Sequence, residues 1–183
     1  MKNDICEILV SKEEIQKAVN TLGEIITKDY QGRFPVFICI LKGAAIFFSD
    51  LIRKIDLPLR TEFMAISSYG SATKTSGVVR ILKDLDQDIV GQDVIIVEDI
   101  VDTGLTLSYL KKNLEDRGAA SIKIVTLLDK PARRKVDIRA DYSCFSIPDS
   151  FVVGYGLDYD EKYRNFPEIG VLHPKVYTKA EES

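Results

Sequence analysis

The chain has 183 residues, 25 basic against 28 acidic side chains for a formal net charge of −3, three cysteines and one histidine. That length suits a single domain over residues 1–183 that buries a core without disulfide or metal staples. The acidic balance argues against nucleic acid or a membrane surface held by charge, and the lone His173 excludes most histidine-based metal sites and leaves one candidate for Ser/His or Cys/His chemistry.

The first element is a helix. Ser11-Lys12-Glu13-Glu14 reads as a capping box, and Ile15, Val19, Leu22 and Ile26 repeat at helical spacing behind it. A buried strand at Val36–Leu41 follows, then Lys42-Gly43 and a helix over about Ala44–Ile55. Thr61–Ser67 and Val78–Lys83 read as strands around a polar, small-residue stretch, Ser68–Gly77. A second buried strand, Val94–Val97, runs into a loop and a helix over about Leu107–Arg117 that Gly118 ends. Ile122–Leu128 is a third buried strand, and Tyr142–Ile147 and Phe151–Leu157 are shorter ones. The polar tail after Pro174 is expected to fray. Strands apolar on both faces, alternating with helices, indicate an α/β fold with a mostly parallel sheet covered on both sides. Cys6, Cys39 and Cys144 form no CxxC pair. The start Met1-Lys2-Asn3-Asp4 lacks a signal-peptide core, and no apolar run is long enough to span a bilayer. A reduced, cytoplasmic protein is expected.

The chemistry concentrates in Val97-Glu98-Asp99-Ile100-Val101-Asp102-Thr103-Gly104-Leu105-Thr106. Two adjacent carboxylates stand at the C-terminal edge of a strand, where ligands of open α/β sheets bind, and a small-residue loop opens a helix. Thr103 to Thr106 offer backbone N–H groups and two hydroxyls at a helix N-terminus, which suits a phosphate. Three carboxylates beside a phosphate need a hard cation or sugar hydroxyls between them, so the loop asks for a sugar phosphate and a divalent metal. The plainer alternative is that Glu98 and Asp99 are solvated strand-end charges and Asp102 is a helix N-cap.

This segment resembles the phosphoribosyl-pyrophosphate motif of the type I phosphoribosyltransferases. The chain from about Ile8 to Tyr177 is similar to their hypoxanthine (hypoxanthine-guanine) branch in its compact bacterial form. The resemblance implies the type I fold, with a small hood formed largely by the C-terminal region. It implies Mg²⁺ as cofactor, phosphoribosyl pyrophosphate and a 6-oxopurine as substrates, and a homodimer or homotetramer. Asp102 to Thr106 would cradle the 5′-phosphate, and Glu98 and Asp99 would hold the ribose hydroxyls directly or through Mg²⁺. Asp102 would be the general base toward the purine, its pKa raised by desolvation and neighbouring acids.

Lys42 and Gly43 match the pyrophosphate loop, in which the Leu-Lys peptide can be cis, and Arg164 matches an arginine on the same group. Ser68 and Tyr69 open the segment, running to Gly77, that matches a closing lid. Lys130 matches the donor to the purine 6-oxo group, Phe151 the stacking ring and Val152 the backbone that pairs with the base edge. Asp158, beside the base, matches the carboxylate that holds a second Mg²⁺ through water. Read without the resemblance, Lys42-Gly43 is a turn, Phe151-Val152-Val153 a buried strand, Lys130 a solvated lysine and Asp158 to Arg164 a charged surface turn. His173 is expected to be structural or solvent-facing.

Overall fold

The computed structural model describes residues 1–68 and 79–178. In chain order, β1 (Ile5–Val10) leads into α1 (Lys12–Asp29), β2 (Val36–Leu41), α2 (Ala45–Ile52) and β3 (Arg60–Ser68). After β4 (Val79–Lys83) and β5 (Asp93–Val101) come α3 (Leu105–Asp116), β6 (Ser121–Asp129) and β7 (Tyr142–Ser146). The chain closes with β8 (Val152–Val153), β9 (Ile169–Leu172) and the short α4 (Pro174–Thr178).

The expected capping box starts α1: Ser11 Oγ accepts from the Glu14 N–H at 3.3 Å, and Glu14 Oε2 accepts from the Ser11 N–H at 2.9 Å. Six strands in the order β4-β3-β2-β5-β6-β7 form the main sheet, parallel throughout except for the β3–β4 pair. Alternate side chains serve opposite faces. Phe37, Cys39, Ile95, Val97 and Val125 pack with α1 and α2, whereas Ile38, Ile40, Val94, Ile96 and Ile124 pack with Leu107, Leu110 and Leu114 of α3. Burial pushes the Cys39 thiol up to about 12, so it serves as a small core residue.

A second sheet, β1-β9-β8, is antiparallel and forms the hood. It draws on a strand near the N-terminus that the sequence reading left out, as well as on the C-terminal region. The strand expected over Phe151–Leu157 shrinks to Val152–Val153, because Gly154 (φ 103°), Tyr155 (φ 48°) and Gly156 (φ 108°) take positive φ and turn the chain. The tail also differs from expectation. Residues Pro174–Thr178 are helical, and His173 Nδ1 accepts from the Lys175 N–H at 3.2 Å, a structural role. Among the described residues, Cys6, Cys39 and Cys144 are free thiols, and no helix is long and apolar enough to cross a membrane.

Candidate active site

Chain direction across the sheet reverses between β2 and β5: β2 is followed outward by β3, and β5 by β6. At such a switch point the loops leaving two parallel strands diverge and leave a crevice at their C-terminal ends. A cavity of about 330 Å³ occupies that place. Lys42 and Gly43 after β2, Glu98 to Gly104 with Thr106 at the end of β5, and Asp158 and Arg164 from the hood line it.

The β5 loop is built as the sequence implied, with two differences. The strand runs on to Val101, pairing with β6 as far as Asp129, so Glu98 and Asp99 are strand residues rather than loop residues. Gly104 (φ 80°), not Asp102, is the N-cap of α3, and a Cβ there would meet the Ile138 methyl at 2.5 Å. Asp102 is thereby released from the capping role. Burial pushes the Glu98 carboxyl well above the usual carboxylate range, and the Asp99 charge adds to it. Burial also raises Asp99 to about 6, against the opposing pull of the Ile100 N–H on its Oδ1 at 2.7 Å. Two half-buried acids side by side repel one another, which is a reason to expect a cationic or hydroxyl-bearing ligand beside them. Asp102 sits further out and accepts from Arg133 Nε at 3.2 Å, a partner the sequence reading did not anticipate.

Across the cavity, the Leu41–Lys42 peptide is cis, and Lys42 Nζ pairs with Glu161 Oε2 at 2.9 Å. The hood turn folds back through Arg164, whose guanidinium donates to the Gly156 carbonyl at 2.8 Å and pairs with Asp158 Oδ1 at 2.9 Å. Arg164 Nε is buried with no hydrogen-bond partner among the described residues. Gly43 is held by close approach: a Cβ on it would fall 1.7 Å from Asp99 Oδ2, and one on Gly156 would fall 2.0 Å from the Gly43 carbonyl oxygen. Gly43→Ala is therefore expected to displace Asp99. Overpacking of this kind costs about 1–3 kcal/mol, or a melting temperature lower by about 2–12 °C for a chain of this size, measured by thermal denaturation.

Lys130, Phe151 and Val152 do not line this cavity. Lys130, a solvated lysine when read without the resemblance, has a side chain only 10% exposed and points its ammonium at Asp149 Oδ1, 3.7 Å away. Phe151 is exposed, stacks on Tyr177 with ring centres 5.4 Å apart and meets Tyr159 edge-on at 5.5 Å. Val152 is buried in the hood sheet. The side chains of Ser68 and Tyr69, with the rest of the segment to Gly77, lie outside the described residues. Among the described residues, no three carboxylates, imidazoles or thiols converge as a cage for a bare metal ion; Glu98, Asp99 and Asp158 share the cavity, with Asp158 committed to Arg164.

A mostly parallel sheet with an acidic strand end, a glycine-capped loop after it and an antiparallel hood define a class of enzyme. The chain belongs to the phosphoribosyl transferase family, whose domain it matches over residues 7–160. Its relatives narrow this to the hypoxanthine-guanine phosphoribosyltransferase branch. It is 58% identical to the hypoxanthine-guanine phosphoribosyltransferase of Bacillus subtilis, over 97% of this chain and 98% of that protein. The enzyme of the same name from Lactococcus lactis is 55% identical, over 94% of each chain. The crystal structure of a hypoxanthine phosphoribosyltransferase from Staphylococcus aureus superposes with a TM-score of 0.94 at 53% identity, covering 97% of this chain and 96% of that one.

Proposed function

We propose that the chain carries out purine salvage, transferring the 5-phosphoribosyl group from phosphoribosyl pyrophosphate to N9 of hypoxanthine, and also of guanine, with release of pyrophosphate. The observation that carries this reading is the switch-point cavity, which brings a glycine-capped loop, two adjacent half-buried acids and the Arg164 guanidinium around one space. The backbone N–H groups and hydroxyls of Thr103 to Thr106 take the 5′-phosphate, with Gly104 letting the chain turn into α3. Glu98 and Asp99 accept from the ribose hydroxyls. Lys42, the Gly43 backbone and Arg164 face the pyrophosphate, and Glu161 is the anion that occupies Lys42 when no pyrophosphate is present. The planar guanidinium of Arg164 suits paired oxygens. Lys130 donates to the 6-oxo group, Phe151 stacks on the ring and the Val152 backbone pairs with the base edge. Adenine presents an amino group to that ammonium, donor against donor, and is rejected.

Asp102 is the general base that accepts the proton at N7 as the bond from C1′ to N9 forms and the bond to pyrophosphate breaks. Mg²⁺ fits the donor set, since it is bound through one or two carboxylates plus substrate oxygens and keeps several waters, rather than sitting in an all-protein cage. Glu98 and Asp99 would hold it at the ribose hydroxyls and Asp158, through water, a second ion at the pyrophosphate; when bound, the metal would supply charge compensation for the departing pyrophosphate. The three free thiols agree with a reducing, cytoplasmic setting, and the family default is a homodimer or homotetramer.

The test is purified protein with Mg²⁺, phosphoribosyl pyrophosphate and, in turn, hypoxanthine, guanine, xanthine and adenine. The expected products are IMP and GMP, with equimolar pyrophosphate and no AMP. Absence of IMP at micromolar enzyme would overturn the assignment. Inorganic phosphate released without a purine would point instead to a hydrolase built on Glu98 and Asp99.

A further inference from the structure

Two groups assigned above to one edge of the purine reach it from different loops. Asp102 follows β5 and Lys130 follows β6. Hydrogen bonds to main-chain carbonyls hold those loops together: the Lys130 N–H donates to the Val101 carbonyl at 3.0 Å, the Lys135 N–H to the Thr103 carbonyl at 3.0 Å, and the Arg134 guanidinium to the Asp102 carbonyl at 2.8 Å. These bonds fix the backbones but not the directions of the Asp102 and Lys130 side chains. Two further side chains bridge those. Arg133 Nε donates to Asp102 Oδ1 at 3.2 Å, and its Nη1 lies 3.7 Å from Asp149 Oδ2. The other oxygen of Asp149 lies 3.7 Å from Lys130 Nζ. Charge alternates along the row, from Asp102 through Arg133 and Asp149 to Lys130.

N7 and the 6-oxo group lie on the same edge of a 6-oxopurine. The base that takes the N7 proton and the cation that donates to the oxygen must therefore keep a set spacing. We propose that Arg133 and Asp149 are positioning residues that set this spacing, Arg133 orienting the Asp102 carboxylate and Asp149 the Lys130 ammonium. The inference rests on the functional reading given above. Lys130 strengthens it. Its ammonium is nearly buried, such a charge requires an anion, and among the described residues Asp149 is the carboxylate within 4 Å of it. The bridge itself is wet: the side chains of Arg133 and Asp149 are 49% and 52% exposed. Exposed pairs contribute little to stability, so losing this one should leave folding almost untouched while loosening the geometry of the two groups it joins.

A double-mutant cycle tests it, using Arg133→Gln, Asp149→Asn and the pair, each measured for hypoxanthine and for phosphoribosyl pyrophosphate, with thermal melts alongside. Each single change should lower kcat/KM for hypoxanthine by about 10-fold to 100-fold, the scale of a small misplacement of reacting groups. The KM for phosphoribosyl pyrophosphate should stay within about two-fold, and the pair should be no worse than the worse single change, since either one already breaks the bridge. Arg133→Lys, which reaches one carboxylate but not both, should recover only part of the loss. Single variants with wild-type kinetics, losses that multiply in the pair, or an equal effect on phosphoribosyl pyrophosphate would overturn the bridge. If the unaltered protein makes no IMP, the functional reading falls and the bridge with it. If it makes IMP and the Arg133 variants are indifferent, only the bridge falls.

Discussion

Asp102→Asn is expected to lower kcat by about 10²–10⁴-fold, the usual contribution of a positioned general base, while leaving affinity for phosphoribosyl pyrophosphate nearly unchanged. The substitution is clean because of what surrounds the residue. Asparagine keeps an oxygen that can still accept from Arg133 Nε, and Gly104 rather than Asp102 caps α3, so the loop loses no hydrogen bond when the charge is removed. What disappears is the capacity to take a proton. Steady-state kinetics with hypoxanthine, together with calorimetric titration of phosphoribosyl pyrophosphate, separate the two effects. A kcat within a few-fold of the parent, on the order of 0.5–1 kcal/mol of barrier, would remove Asp102 from the proton transfer.

Lys130→Ala has the second large effect, on the other substrate. A hydrogen bond from a charged donor is worth about 1.5–3 kcal/mol, which corresponds to a KM for hypoxanthine higher by about 10-fold to 100-fold. The ratio of adenine to hypoxanthine turnover should rise at the same time, because the donor that opposes the adenine amino group has gone. The change also leaves Asp149 facing Arg133 alone, so part of the loss passes to Asp102. Unchanged hypoxanthine kinetics would take Lys130 out of the purine site.

Much of the main sheet was legible because its strands are buried on both faces. Val36–Leu41 and the apolar run before Glu98 are unbroken, and only a doubly covered strand tolerates that composition. The hood was harder. In β1 the burial pattern shows no alternation, because register shifts at Ile5/Glu7 and Ile8/Val10 interrupt the two-residue period on which a reading depends. In the β5 loop the residue types alone raised the expectation of a site, and the cavity lies there. Lys130 raised none: a lysine in a Lys-Pro-Ala-Arg-Arg turn reads as solvated, and only the packing of β6 against β5 and β7 takes it out of water. Arg133 and Asp149 stayed hidden for the same reason, since their partners come from different loops and sequence spacing carries no trace of them. Tyr177, in a stretch read as fraying, stacks on Phe151.

The hood sheet has a consequence for how the protein is made. Its central strand is β9, so β1 must wait for Ile169–Leu172 before it has a neighbour. At about 5–20 residues per second that wait lasts roughly 10–30 s, during which β2 to β7 can already pair. Asp158, Arg164, Phe151 and Val152 join only with that late closure. The nascent chain would then acquire its β5 loop early and its hood last, and a ribosome stalled before residue 169 would carry the sheet without the closed hood.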